Sequence, residues 1–197
     1  MEHLEQQIAF IRELDRLKSV YRQSLIKSDK NRFENSAEHS WHICVIAHVL
    51  REYVDEPIDI DRVVRMLLIH DVVEIDAGDT FAFSKAPDLA QQRGKELQAV
   101  ERIFGLLPSH QRDEMVALWL EFEDGTSIES RYAKAVDRVV PVFMNTANDG
   151  GGWRRHTLTR SQLLKRNDFL RTTMPRLWGY ITSQIDFAVS KGWLQSD

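Results

Sequence analysis

The sequence predicts an all-α, single-domain bundle of six or more helices. Apolar residues recur at three- and four-residue intervals through nearly every segment, which is the period of an amphipathic helix. Strand-like alternation is scarce, and the breaks between periodic segments carry Pro or Gly, the usual punctuation of helix ends. At 197 residues the chain suits one domain, spanning residues 1–197.

The elements follow in order. Leu4, Ile8, Ile11, Leu14 and Leu17 form an apolar stripe on a first helix. A second runs from about Ala37 to Val54 and stops before Pro57, which cannot donate to a helix ladder. Asp59 or Asp61 can cap a third through Val63, Val64, Leu67, Leu68 and His70, expected to end at the turn around Gly78. Further helices are expected over Pro87–Phe104, Pro108–Glu123 and Ser127–Asn145, and from Ser161 or Arg166 to Lys191. The stretch "YRQSLIKSDKNRFENSAEH" is read as a long polar loop leading to a histidine-bearing helix, a common location for function. Gly150–Gly152 is expected to be a flexible connection, because neither a preceding strand nor a following Gly-Lys-Ser/Thr marks a phosphate loop.

Composition removes several function classes. The formal charge is −4 with no long basic run, so nucleic acid is not the expected partner. No stretch reaches the length of a membrane span, and "MEHLEQQIAFIRELDRL" is acidic and amphipathic, unlike a secretion signal. One cysteine, Cys44, leaves no internal disulfide or Cys-based zinc site. The expectation is a cytoplasmic protein.

The chemistry concentrates in "LLIHDVVEIDAGD", where His70 and Asp71 interrupt an apolar run. Such groups are rarely buried unless paired or holding an ion. Chance alone supplies about half of one His-Asp dipeptide in a chain of this composition, so context must decide. His39 opens one helix and Asp137 lies among Ala135, Val136, Val139 and Val140 in another. Two imidazoles and two carboxylates can give one divalent cation four N/O ligands, and its charge would offset their desolvation. Adjacent His70 and Asp71 diverge by about 100° on an ideal helix, so both reach one ion only near a helix end.

His39, His70-Asp71 and Asp137 resemble the H…HD…D signature of the HD-domain metal-dependent phosphohydrolase superfamily. "ENSAEHSWH", "LLIHDVVEIDAGDT" and "AVDRVVP" are similar to its branch of YfbR-type 5'-deoxynucleotidases and bacterial HD hydrolases, over most of the chain. The resemblance implies an all-α HD fold, with a metal-binding core at about residues 20–145 and the terminal helices packed on it. It implies His39, His70, Asp71 and Asp137 as ligands of one divalent ion and, usually, a homodimer. Glu74 falls where a carboxylate handles the attacking water or the leaving-group proton, and Asp79 where one contacts the sugar hydroxyl. Arg22 matches a phosphate-contacting arginine and Arg32 another recurrent position. Glu38 is expected to orient Arg22 or a ligand. The sequence departs from the well-studied nucleotidase at Gln23, which replaces a Trp, and in a somewhat longer loop before His39.

The expected activity is metal-dependent hydrolysis of a small phosphate ester, foremost a 5'-(deoxy)nucleoside monophosphate, with Glu74 and Asp79 catalytic and Arg22, Arg32 and Asp79 binding substrate. Mixed imidazole and carboxylate ligands suit Mn, Co, Ni, Fe, Zn or Mg. The alternative is a catalytically weak metal-dependent nucleotide-binding or regulatory module. A di-iron oxygenase needs further histidines between His70 and Asp137, an interval that holds only His110. His3 and His156 are read as surface residues, and Trp41 and Trp153 as core by default.

Overall fold

Capping chemistry and apolar faces set the helices. The computed structural model describes residues 1–84 and 86–197, with the side chains of 86 and 87 left out. The central helix, α7 (Ile128–Ala147), is buried along Ala133, Ala135, Val136, Val139, Val140 and Val142. Burying each Val contributes about 1.5–3 kcal/mol. Ser127 caps it, its Oγ accepting from Ser130 N at 3.1 Å. Around α7 pack α2 (Ser36–Leu50), α3 (Ile60–Ile69), α6 (Ser109–Asp124) and α11 (Pro175–Ser190). A second apolar cluster joins α1 (Glu2–Leu14) to α5 (Ala86–Phe104) through Phe10, Val100, Ile103 and Phe104. The expected start of α5, Pro87, has its side chain outside the described residues.

The polar segment before His39 is not a plain loop. Tyr21–Ile26 (β1) and Arg32–Asn35 (β2) pair antiparallel, with Leu25 opposite Phe33 and Ile26 opposite Arg32. Lys30 and Asn31 turn the chain at φ 53° and 60°. This pairing escapes sequence pattern because "YRQSLI" barely alternates; β1 is held by packing against α7. Lys27 Nζ also donates to Ala147 O, 2.7 Å, at the C-terminal end of α7, where a cation is favoured. Asn35 then opens α2 with a capping box: its side chain accepts from Glu38 N, and Glu38 Oε2 accepts from Asn35 N.

Three expectations need correction. The third helix ends at Ile69, earlier than Gly78; a turn follows, and then α4 (Glu74–Ala77). The last helix is broken into α9 (Arg160–Asn167), α10 (Leu170–Thr173) and α11. Met174 takes φ −142° before Pro175, consistent with the steric bar on helix before proline. Leu4, Ile8 and Ile11 are 58, 36 and 64% exposed, so the periodic stripe of α1 faces outward and Phe10 and Leu17 carry its packing.

The Gly150–Gly152 connection is packed as well. After it comes α8 (Trp153–His156). A Cβ on Gly150 would lie 2.6 Å from Trp193 Cβ, and one on Gly152 would lie 2.9 Å from Gln23 O. Glycine therefore lets this loop close onto both the C-terminal segment and the hairpin.

Candidate metal centre and active site

Three helices and the hairpin converge on one cluster. His39 projects from the second turn of α2, His70 caps α3, Asp71 follows in the turn, and Asp137 sits midway along α7. His39, His70 and Asp71 are buried at 1, 6 and 7% exposure. One atom each of His39, His70 and Asp137 lie within 4.8 Å of one another. His39 Nε2 is 2.9 Å from Asp137 Oδ1, and His70 Nε2 is 2.9 Å from Asp71 Oδ1. Metal–ligand bonds of about 2.0–2.2 Å at right angles separate neighbouring ligand atoms by about 3 Å, so these spacings suit one ion. His70 ends α3 as its C-cap and Asp71 follows in the turn, where the two side chains meet.

The residues present fit a divalent cation. His70 Nδ1–H donates to Leu67 O at 2.8 Å, which fixes the ring and leaves Nε2 facing the cluster. Buried His70 Nε2 and His39 Nδ1 have no hydrogen-bond partner. Trp119 Nε1 donates to His70 O at 3.0 Å and pins the helix end. Burial pushes the His70 imidazole down, yet Asp71 and Asp137 outweigh it and hold the ring at about 9. Burial likewise raises Asp71 and Asp137, but His70 with Arg22, and His39, keep both carboxyls well below their ordinary range. The field of the cluster favours positive charge.

Arg22, from β1, bridges the cluster and the cavity in front of it. Its Nη1 donates to Asp71 Oδ2 at 2.6 Å, while Asp137 and Glu34 lie 3.8 and 3.7 Å from other guanidinium nitrogens. Burial disfavours its charge, but Asp71, Asp137 and Glu74 more than restore it. Glu34 Oε2 also sits 3.5 Å from His39 Nδ1, the place of a carboxylate that orients a ligating imidazole. Nothing in the sequence marks Glu34; only the hairpin brings it there. Glu38 does not take that role. It binds Arg32 at 2.7 Å, and Arg32 also pairs with Asp29. Arg32, expected to contact substrate, is exposed, is not among the residues lining the cavity, and has its charge matched by Glu38 and Asp29.

Glu74 and Asp79 line the cavity beside Asp71 and Asp137. Ser36 Oγ donates to Glu74 Oε2 at 2.5 Å. Burial, then the neighbouring Asp71 charge, pushes the Glu74 carboxyl well above its ordinary value. Burial raises Asp79 too, with Asp71 adding and Arg22 opposing. The cavity is also lined by Phe81, Phe83, Trp153, His156 and Arg166. Phe81 and His156 stack with centroids 4.0 Å apart. His156, read as a surface residue, is thus a cavity residue, placed by the fold of the glycine loop. Trp153 is buried as well as cavity-lining, whereas Trp41 is 66% exposed.

Known proteins match this arrangement. The family model described as HD domain matches residues 14–178. Human 5'-deoxynucleotidase HDDC2 is 31% identical over 131 residues, 66% of this chain and 62% of that protein. The Saccharomyces cerevisiae 5'-deoxynucleotidase YBR242W is 24% identical over 135 residues, 66% of this chain and 55% of that protein. The chain thus spans somewhat under two thirds of the length of these curated relatives. A crystal structure from Magnetospirillum magnetotacticum, described as a predicted metal-dependent phosphohydrolase, superposes at TM-score 0.91 with 44% identity, covering 98% of this chain and 96% of that one. An HD-domain phosphohydrolase from Listeria innocua, 15% identical, shares the fold at TM-score 0.60 over 93% of this chain and 86% of that one. HD-domain architecture implies a divalent metal, and His39, His70 and Asp137 offer it a site. The helical architecture, the convergent histidines and carboxylates and the match over most of its length place this chain in the HD-domain family.

Proposed function

We propose that the chain is a metal-dependent phosphohydrolase acting on 5'-(deoxy)nucleoside monophosphates. The observation that carries this is a cavity lined by Arg22, Glu74 and Asp79 together with Asp71 and Asp137. The 5'-deoxynucleotidase names of the curated relatives and the phosphohydrolase description of the Magnetospirillum protein support the reading. His39, His70, Asp71 and Asp137 would hold the ion. A divalent cation there supplies Lewis acidity and a water of lowered pKa.

The chain's own groups do the rest. Arg22 draws the phosphate toward the cluster and stabilises its charge through guanidinium hydrogen bonds. Glu74, fixed by Ser36 and with its carboxyl raised above its ordinary value, can carry a proton, either from water or to the leaving 5'-oxygen. Asp79 accepts from a sugar hydroxyl.

The same proposal takes residues 1–197 as one HD domain with its terminal helices packed on the core, in a homodimer in the cytoplasm. Exposed Trp41, Val45 and Val49, spaced four residues apart on α2, support an interface between copies; light scattering that gives a monomer would remove it. Among the described residues no helix is long and apolar enough to cross a membrane, and Cys44 is a buried free thiol, in keeping with a reducing compartment.

The test is a screen of metal-loaded protein against 5'-deoxynucleotides, ribonucleotides and sugar phosphates, reading released phosphate. Deoxynucleoside monophosphates should be hydrolysed. Phosphate release that persists in Asp71→Ala would sink the site, and binding of nucleotides without any hydrolysis would leave a sensor in place of an enzyme.

A further inference from the structure

The cavity beside the cluster carries a second guanidinium. Arg166 lies in the last turn of α9 and lines the same cavity as Arg22, Asp71, Glu74 and Asp137. The two arginines are matched very differently. Arg22 faces Asp71, Glu34 and Asp137 within 4.0 Å. The Arg166 guanidinium enters no ion pair and no hydrogen bond among the described residues; its neighbour is the Phe83 ring, 5.6 Å from its central carbon. Half-buried, it sits where burial disfavours its charge, with Asp137 alone opposing that and Arg138 and Arg22 adding to it. A guanidinium cannot shed its proton, so a partly desolvated one is incomplete without an anion.

We propose that Arg166 is a second substrate-binding arginine, which takes the phosphate group of the ligand in the cavity it shares with Arg22. This rests on the phosphomonoester reading above. Charge balance favours it. A divalent ion is neutralised by Asp71 and Asp137, and Arg22 leaves one positive charge. A phosphate monoester dianion needs two. Arg166 supplies the second, while Glu34, Glu74 and Asp79 can only deepen the deficit. The Phe83 ring lies over the guanidinium itself, 5.6 Å from its central carbon, and a planar fork held against an aromatic face is suited to bidentate contact.

The test is calorimetric titration of the metal-loaded full chain with inorganic phosphate and, separately, with thymidine. Arg166→Met keeps the apolar stem and removes the charge; Arg166→Lys keeps the charge and loses the fork. Phosphate binding should weaken at least about tenfold in Arg166→Met and less in Arg166→Lys, the loss of a charge-assisted hydrogen bond. Thymidine binding and metal content should not change. The proposal is overturned if Arg166→Met binds phosphate like wild type, if wild type binds none, or if thymidine rather than phosphate is lost, which would make Arg166 a base contact. Should wild type hydrolyse no phosphomonoester while Arg166→Met still loses phosphate affinity, the hydrolase reading fails and the role of Arg166 stands.

Discussion

Asp71 and Asp76 come from one stretch, "HDVVEIDAGD", and both meet an arginine, yet their surroundings differ in kind. Asp76 is exposed and pairs with Arg102, which also holds Glu13 at 2.6 Å, with Arg16 nearby. Each charge there has a partner, and water screens the remainder. Asp71 is 7% exposed, and Arg22 satisfies only one of its oxygens. The other faces a histidine nitrogen that has no hydrogen-bond partner. Burying a paired charge is expensive even when the geometry is good, so a buried cluster that remains unsatisfied is a binding site, whereas a satisfied one at the surface is packing.

Substitutions can break that contrast, the largest effect first. Asp137→Ala should abolish stoichiometric metal content, read by elemental analysis, and lower turnover about a thousandfold or more, the several kcal/mol a Lewis acid contributes. Glu74→Gln should keep the metal and lose roughly 10²–10⁴ in turnover, the usual share of proton transfer; wild-type turnover in this variant would remove Glu74 from the mechanism. Glu34→Gln should weaken metal affinity roughly 10–100-fold, with turnover recovering at saturating metal. If metal affinity is unchanged, Glu34 does not orient His39.

The surface cluster should respond least. Arg102→Met should cost under about 1 kcal/mol at neutral pH, since its partners are largely solvated, and leave turnover intact. The hydrogen bond from Arg102 holds the Glu13 carboxyl below its ordinary value. Its stabilisation is therefore complete above the ordinary carboxylate range and lost as pH falls through the lowered value. The difference in melting temperature between wild type and Arg102→Met should accordingly shrink in acid and in high salt.

The legible part of the site was the part with a local signature. His39, His70, Asp71 and Asp137 stood out because polar groups interrupted apolar helix faces. The cap at Asp59 was legible too, and the structure shows that it opens α3. Arg32 was singled out only by resemblance, and its sequence does not show that Glu38, at the start of α2, already neutralises it. Glu34, His156 and Arg166 left no trace in pattern: Glu34 reaches the cluster, and His156 and Arg166 the cavity, from three separate elements, and none belongs to a periodic face that the sequence displays.

By itself, then, the sequence determined the helical class, the helix starts and the buried histidines and aspartates of the cluster, because capping, period and the cost of burying charge act within a few residues of one another. Only the tertiary structure decided that α3 stops at His70, that a hairpin carries Arg22 and Glu34 to the cluster, and that the glycine loop and α9 complete the cavity lining. Those outcomes depend on contacts between separate segments, such as Arg22 with Asp71, Trp119 with His70 and Gln23 against Gly152, and no local propensity encodes them.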